Sequence, residues 1–286
     1  MSSNKKPKGI LIAIGGAVDK GTGYDDDKNN SENLVEKFLE EGILKRLLEE
    51  LSSKTNRVEI ITTASLIPEE IGQHYVDAFN RLGNDNIGVI HIKKRKDTLN
   101  LEYLDRIQKA EGVLFTGGNQ LRLTTIFGGT ELLNVMLSRY QNEHFILAGT
   151  SAGAMAMSTT MIFGGSSTEA LLKGEVKLSR GFGFIEDVTF DTHFIKRGRF
   201  GRLCQTIAIN PTGIGIGLGE DTGLLITEGN HMEAIGSGLV MIVEGGNIKY
   251  TNIVDIENGE PISIENLTVH VLSKGHNYIL SERRMV

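Results

Sequence analysis

The feature that most limits the fold of this chain is a regular alternation of short β-branched runs with longer segments of helical period. The runs predict strands at 10–14, 57–63, 87–92, 112–115 and 145–148. The segments between them predict helices at 34–51, 68–82, 101–110 and 120–139, the last broken at Gly128–Gly129. Because the strands are continuously apolar, they should be covered on both faces, which indicates a five-stranded parallel sheet sandwiched by helices in an α/β fold.

The pattern changes after about residue 158. Residues 164–167 predict a loop, 188–190 a strand and 199–209 a helix, whereas 213–286 is mostly strand with turn signals at 228–230 and 244–247. We interpret 213–286 as an antiparallel extension of the same sheet, and the absence of a linker or repeat predicts a single α/β domain over 1–286. The polar segment 19–33 predicts a mobile surface loop.

Composition and short motifs exclude several classes of partner. The net charge is −6 and the Lys and Arg residues are scattered apart from 93–96, which argues against nucleic acid. A single cysteine, Cys204, excludes an internal disulfide and a cysteine-based metal cluster, and no histidine or carboxylate pattern suggests a metal. Gly15–Gly16 lacks the Gly-x-Gly-x-x-Gly spacing of a nucleotide site, so we expect no cofactor. The apolar run 9–14 is too short to span a membrane, and we expect a cytoplasmic protein.

The strongest local signal is Gly149-Thr150-Ser151-Ala152-Gly153, which follows the strand predicted at 145–148. It fits the Gly-x-Ser-x-Gly pattern of a nucleophile elbow, a tight strand-to-helix turn that strains the serine backbone and lifts the hydroxyl above the sheet. Glycines are needed on either side because side chains there would collide. The same pattern arises by chance in glycine-rich chains, but its position at a strand end favours Ser151 as a nucleophile.

A second glycine turn, Thr116-Gly117-Gly118-Asn119-Gln120, follows the strand predicted at 112–115. In a parallel sheet this turn lies on the same carboxyl edge as Ser151, so both can face one crevice. We expect the backbone N–H groups of Gly118 and Ala152 to form an oxyanion hole. A helix cap at this turn is an alternative interpretation, and the two are compatible.

A serine nucleophile needs a base, and His193 is the best placed of the seven histidines because it follows the strand predicted at 188–190. Three cations come after it, Arg197, Arg199 and Arg202. They should depress the pKa of His193, which keeps the imidazole neutral, and they offer bidentate docking for substrate carboxylates. For any one of these arginines, a solvated basic helix face is the alternative explanation.

The orienting carboxylate should lie at another strand end, and Glu220 and Asp221 follow the alternating glycine and aliphatic residues of 213–219. Such alternation predicts a strand that packs closely against a neighbour on its glycine side. The two carboxylates point to opposite faces if the strand continues, so one of them can serve and the residues alone do not choose. An exposed acidic turn is the alternative.

Together these segments resemble the cyanophycinase family, the serine peptidases that release β-Asp-Arg dipeptides from the storage polymer cyanophycin, and more distantly the aspartyl dipeptidases. The resemblance covers most of the chain and is carried by Gly15–Gly16 with Asp19–Lys20, and by 115–120, 149–154, 191–202 and 217–222. It implies a flavodoxin-like sheet related to class I glutamine amidotransferases, a triad in the order Ser, His, Glu, and a homodimer.

Carried over position by position, the resemblance makes Ser151 the nucleophile, His193 the base and Glu220 its partner, which selects Glu220 over Asp221 by analogy only. The residues implied to line the substrate cleft are Gln120, Asp191, Arg197, Arg199 and Arg202. The order Ser, His, Glu differs from that of α/β-hydrolases, where the acid precedes the histidine.

The sequence thus predicts a serine exopeptidase that hydrolyses cyanophycin through an acyl-enzyme, with no metal or cofactor. Two departures from the family bear on substrate: Thr192 stands where the family usually has glutamine, and 24–33 is a long acidic stretch. An alternative is an aspartyl or isoaspartyl dipeptidase that acts on short acidic peptides. A noncatalytic binding protein would require a broken triad, and a thiol amidotransferase is disfavoured because Ser151 occupies the elbow and Cys204 lies in a predicted helix.

Overall fold

The structure is a computed structural model, and it describes residues 6–20, 39–40, 42–53 and 55–286. The acidic stretch at 24–33 lies outside these residues. So does the loop predicted at 19–33, apart from its first two residues, and so does most of the first half of the helix predicted at 34–51.

The main sheet comprises nine strands within the described residues. In order across the sheet they are β17 (Arg284–Met285), β16 (Asn277–Ile279), β11 (His231–Gly236), β10 (Thr222–Thr227), β1 (Ile10–Ile14), β5 (Ile146–Thr150), β4 (Gly112–Phe115), β2 (Val58–Ile61) and β3 (Ile87–Ile90). Strands β1 to β5 pair in parallel, which confirms the prediction of five parallel strands. The remaining four continue the sheet in antiparallel fashion beyond β1.

The described helices connect these strands. They are α1 (Ile43–Glu49), α2 (Pro68–Arg81), α3 (Leu101–Lys109), α4 (Gln120–Phe127), α5 (Glu131–Asn142), α6 (Ala152–Met155) and α7 (Phe200–Ile209), with a 3-10 helix at Arg95–Leu99. The predicted break at Gly128–Gly129 separates α4 from α5, and the Thr130 side chain caps α5 by accepting a hydrogen bond from the Leu133 amide. Among the described residues, no helix is both long enough and apolar enough to cross a membrane.

The centre of the main sheet, formed by β1, β5, β4 and β2, is buried on both faces, as its continuously apolar strands predict. Along β1, Leu11 and Ala13 belong to a hydrophobic cluster that includes residues of α4 and α5. The alternate residues Ile12 and Ile14 belong to a second cluster that includes residues of α1 and α2. Each strand face therefore removes its apolar surface from water, which is the dominant favourable contribution to folding.

A second sheet has four strands within the described residues, in the order β15 (Thr268–Leu272), β12 (Val240–Glu244), β9 (Ile214–Leu218) and β8 (Val188–Thr192). The prediction that 213–286 extends the main sheet is therefore right for β10, β11, β16 and β17 and wrong for β9, β12 and β15. It is also wrong for β13 (Tyr250–Thr251) and β14 (Ile264–Glu265), which form a two-stranded sheet of their own. For the second sheet, the reason is that β9 follows α7 and pairs in parallel with β8, as a βαβ unit. Asp221, with φ of 43°, then turns the chain into the main sheet.

The glycine side of β9 is closely packed, as the alternation predicts. A methyl group at Gly215 would lie 3.2 Å from Leu203 and 3.3 Å from Ile207 of α7. At Gly217 it would overlap the Phe194 ring.

Two short strand pairs complete the described fold, β6 (Thr160–Gly164) with β7 (Lys177–Arg180), and β13 (Tyr250–Thr251) with β14 (Ile264–Glu265). The sequence interpretation missed β6 and β7. Met161 and Ile162 of β6 are buried, whereas all four residues of β7 are half-buried or exposed.

Candidate active site

Five loops converge where the two sheets meet. Strands β1, β5 and β4 are neighbours in the main sheet, so the turns after them, at Gly15, Ser151 and Gly117, lie side by side on the carboxyl edge. The second sheet contributes His193, directly after β8, and Glu220, just after β9. Residues from five strand ends therefore share one site, and this site is built from both sheets.

Ser151 has the strained backbone that the nucleophile-elbow interpretation requires. Its φ and ψ are 52° and −112°, between the last residue of β5 and the first of α6. A side chain on Gly149 would lie 2.5 Å from the Gly153 carbonyl carbon, and one on Gly153 would lie 2.9 Å from Phe115 Cβ. Both flanking glycines are therefore required sterically, because the turn brings the helix start against β4 and β5.

His193 lies between Ser151 and Glu220. The Ser151 Oγ is 3.0 Å from His193 Nε2, and His193 Nδ1 is 3.1 Å from Glu220 Oε1. Because His193 Nδ1–H donates a hydrogen bond to the Glu220 carboxylate, the other ring nitrogen is left to accept a hydrogen bond from the serine hydroxyl. The three side chains form one hydrogen-bonded series of the kind in which a nucleophile, a base and an orienting carboxylate cooperate.

The structure distinguishes between Glu220 and Asp221, the two carboxylates between which the sequence alone does not choose. Glu220 reaches the imidazole, whereas the Asp221 carboxylate accepts hydrogen bonds from the Asp19 amide at 3.2 Å and from the Ser237 hydroxyl at 2.8 Å. The positive φ of Asp221 sends the two side chains in different directions. Glu220 is thus the carboxylate in contact with the histidine, and Asp221 holds the turn that follows it.

The surroundings of His193 favour a neutral imidazole. Burial lowers the pKa of His193, Glu220 acts in the opposite direction, and Arg197 and Arg199 lower it further. The direction expected from Arg197 and Arg199 is therefore right, but burial is the larger cause. The hydrogen bond from His193 lowers the pKa of Glu220, and Lys196 adds to this effect. At neutral pH an uncharged imidazole accordingly lies beside an ionised carboxylate.

The turn after β4 lies next to Ser151. A side chain on Gly117 would be 3.3 Å from Ser151 Cβ. Within the described residues, the backbone amides of Gly118 and Ala152 donate no hydrogen bond to another protein group, so both are available to an anion. Asn119 caps α4 through its side chain, which accepts from the amides of Leu121 and Arg122. The helix cap considered as an alternative is therefore present, and it leaves the two amides available.

Gln120 opens α4 at the rim of the site. Its Nε2 donates to the Ile162 carbonyl oxygen at 3.0 Å, and among the described residues nothing donates to its Oε1.

Thr192, which precedes His193, is buried, and its hydroxyl contacts the Met155 sulfur at 3.3 Å. The departure from the family at this position therefore faces the core beneath the elbow.

Asp191, Arg199 and Arg202 form a buried ion cluster. Asp191 has no exposed surface; Arg199 Nη1 lies 3.0 Å from its Oδ1, and Arg202 Nε lies 2.9 Å from its Oδ2. Burial raises the pKa of Asp191 and lowers that of Arg202, whereas their mutual attraction acts on each in the opposite direction. Arg197, by contrast, is exposed. The expectation that all four residues line the cleft remains a prediction.

Sequence reasoning missed Lys196 and gave no structural part to Gly15–Gly16. Lys196 Nζ lies 3.2 Å from Glu220 Oε2, the carboxylate oxygen not used by His193. Its place three residues after the histidine, in a basic run, is a signal that could have identified it. The glycine pair was noted for its resemblance to the family, and its contacts with the site could be seen only in three dimensions.

The described residues contain no group of three or more histidine, cysteine or acidic side chains that could hold a metal ion.

The family model for peptidase family S51 matches residues 31–234. The chain is 33% identical over 273 residues to a cyanophycinase of Synechococcus elongatus. This match covers 96% of this chain and 80% of that protein. It is 30% identical over 286 residues to a cyanophycinase of Trichormus variabilis, with coverages of 100% and 90%.

Among solved structures, the fold is similar to the crystal structure of a peptidase from an acI-B1 Actinobacterium. The TM-score is 0.62 at 24% identity, and the match covers 86% of this chain and 95% of that one. This similarity, together with the observed sheet, confirms the predicted α/β fold class.

Proposed function

The chain belongs to peptidase family S51, and we propose that it is a serine-type exopeptidase that hydrolyses cyanophycin to β-Asp-Arg dipeptides. The observation that carries the proposal is the hydrogen-bonded series of Ser151, His193 and Glu220 at the meeting point of the two sheets. The substrate is supported by the relatives that are cyanophycinases at 30% and 33% identity over nearly the whole chain, as the sequence resemblance implied.

The first half of the reaction forms an acyl-enzyme. The Ser151 hydroxyl attacks the scissile aspartyl carbonyl carbon while His193 Nε2 takes the hydroxyl proton. The amides of Gly118 and Ala152 donate to the oxyanion that develops on the carbonyl oxygen. When the tetrahedral intermediate collapses, the C–N bond breaks and His193 returns the proton to the leaving amine.

The second half releases the product. A water molecule gives a proton to His193 and attacks the ester carbonyl, and the Ser151 oxygen leaves as the proton returns to it. Throughout, Glu220 accepts a hydrogen bond from Nδ1–H and stays ionised, so it fixes the tautomer and stabilises the imidazolium that forms. Lys196 orients the second oxygen of this carboxylate.

Recognition of cyanophycin requires both cations and acceptors, because the polymer carries a free carboxylate and a guanidinium on every branch. Arg197 and Arg199 lie beside His193 and supply cations for the carboxylate. The Oε1 of Gln120 supplies an acceptor for the guanidinium. In this proposal Asp191 acts indirectly, because it holds Arg199 and Arg202 in place.

We further propose that residues 1–286 form one domain, which the hydrophobic cluster that spans both sheets supports. We also propose that the protein is a cytoplasmic homodimer.

The decisive experiment compares wild type with Ser151→Ala on insoluble cyanophycin and on a panel of Asp-X and β-Asp-X dipeptides, with products identified by mass. Wild type should release β-Asp-Arg, and the variant should lose at least about 10⁴-fold in kcat. Ser138→Ala, at an exposed position of α5, is a matched control that should retain wild-type activity.

Each outcome has a distinct meaning. Cleavage of dipeptides alone would replace the polymer with a short isoaspartyl or aspartyl peptide as substrate. Undiminished activity in Ser151→Ala would refute the acyl-enzyme mechanism.

A further inference from the structure

Three successive carbonyl groups, from the last residue of β1 and the two after it, accept hydrogen bonds from the three loops that carry the candidate triad. Ile14 O accepts a hydrogen bond from the Ser151 amide at 2.8 Å, and Gly15 O accepts from the His193 amide at 2.9 Å. Gly16 O accepts from the Asp221 amide at 2.9 Å, one residue after Glu220. Backbone hydrogen bonds of this kind set the relative position of loops that are far apart in sequence.

The two glycines in this segment are constrained by different neighbours. A methyl group at Gly15 would overlap the backbone of β9, with Leu218 O at 2.6 Å and Gly219 O closer still. A methyl group at Gly16 would overlap the imidazole of His193, with Nε2 at 2.6 Å. Gly16 also has φ of 111°, which a side chain disfavours. The absence of a side chain at residue 16 is therefore what allows the ring to occupy its observed position.

His193 needs this support because its own backbone is strained. Its φ is 50°, and a non-glycine residue in the left-handed region persists only where its surroundings fix it. The Gly15 carbonyl holds the His193 amide, the Gly16 backbone lies against one part of the ring, and Ser151 and Glu220 contact its two nitrogens. The ring is thus fixed from the backbone as well as from its hydrogen-bond partners.

We propose that Gly15–Gly16 is the positioning element of the triad: its carbonyl groups fix the loops that carry His193 and Glu220, and the bare backbone of Gly16 is the surface against which the imidazole is aligned. Gly16 is a positioning residue, since it acts on the reaction through His193. The inference rests on the proposed serine mechanism but not on the identity of the substrate.

The test measures the alignment of Ser151 and His193 without using cyanophycin. An alkyl phosphonofluoridate probe phosphonylates an activated serine with loss of fluoride, and the labelling rate is followed by intact mass. Gly16→Ala should lower the rate constant by at least about 100-fold, since misplacement by about 1 Å can cost that much. Gly259→Ala is the matched control, because its φ is 91° and no atom lies near its added methyl group. It should label at the wild-type rate.

A second measurement separates the ring contact from general backbone strain. In wild type, Gly16→Ala should lower the Tm more than Gly259→Ala does. In a His193→Ala background the added methyl group meets no ring, so the Tm losses from the two alanine substitutions should become similar. This comparison also applies if Gly16→Ala alone folds poorly, because recovery of the folded state in the double variant is then the expected result.

The outcomes distinguish this inference from the proposed function. Wild-type labelling at Ser151 without release of β-Asp-Arg would refute the substrate and leave the positioning inference standing. A Gly16→Ala protein that labels at the wild-type rate, or that loses equal Tm with and without the His193 ring, would overturn the inference. If cyanophycin is hydrolysed, kcat should fall in Gly16→Ala while KM changes by less than about threefold, because the ring and not the cleft is displaced.

Discussion

Replacing Asp191 with asparagine should destabilise the protein strongly, because the substitution leaves the buried guanidinium of Arg202 and the largely buried one of Arg199 without their anion. Asp191 has no exposed surface, and the side chains of Arg199 and Arg202 are 13% and 5% exposed. Breaking a buried ion pair by removal of one partner costs about 3–5 kcal/mol. Against a typical free energy of unfolding of about 5–15 kcal/mol, this loss is large but leaves a folded population.

The assay is urea denaturation followed by two spectroscopic probes, so that two-state behaviour is checked before free energies are compared. A double-mutant cycle adds Arg202→Met and the combined variant. Because the combined variant removes both charges of the pair, its loss should be smaller than the sum of the two single losses by about 1–3 kcal/mol. The Tm of Asp191→Asn should be lower than that of wild type by roughly 6–20 °C.

Glu59 provides a matched control elsewhere in the molecule. It is fully buried on β2 and paired with Arg57 and Arg106, so it repeats the chemistry of the Asp191 cluster outside the candidate site. Glu59→Gln should lower stability with little change in KM, whereas Asp191→Asn should lower stability and raise KM. A loss below about 1 kcal/mol for Asp191→Asn, or strict additivity in the cycle, would refute the view of Asp191 as the anchor of the two arginines.

Two further predictions concern the triad. Glu220→Gln should lower kcat by about 10²–10⁴-fold with KM nearly unchanged, because a neutral amide does not stabilise the imidazolium and its NH₂ group can donate to Nδ1, which favours the wrong tautomer. Steady-state kinetics check this against Glu228→Gln, and a fall of less than tenfold would contradict the orienting role. Activity needs neutral His193, whose pKa is lowered by burial and by Arg197, so kcat/KM should fall only below about pH 6.5. Arg197→Gln removes a cation that lowers the pKa of His193, so it should move this acid limb to higher pH, by less than about one unit because the cation is exposed and screened. Arg284→Gln is the control and should leave the limb in place. A shift of the limb to lower pH in Arg197→Gln would contradict the argument.

Much of the fold could be predicted because the relevant signal is local. The apolar runs at β1 to β5 and the helical period between them are properties of short windows, and a strand buried on both faces must be apolar throughout. The positions of Ser151 and His193 could be predicted in the same way, since each directly follows such a run. The division of 213–286 between two sheets could not, because β9 and β10 have similar composition and differ only in the strands with which they pair.

The candidate site shows where sequence reasoning reaches its limit. By itself the sequence determined the α/β class, the strand-end location of the candidate nucleophile and the presence of a histidine and carboxylates able to complete a triad. Only the tertiary structure decided that Glu220 and not Asp221 contacts the histidine, that Asp191 is fully buried, and that Gly16 lies against the imidazole. The physical reason is that these facts depend on contacts between residues far apart in the chain, at distances where a few tenths of an ångström decide whether a side chain fits.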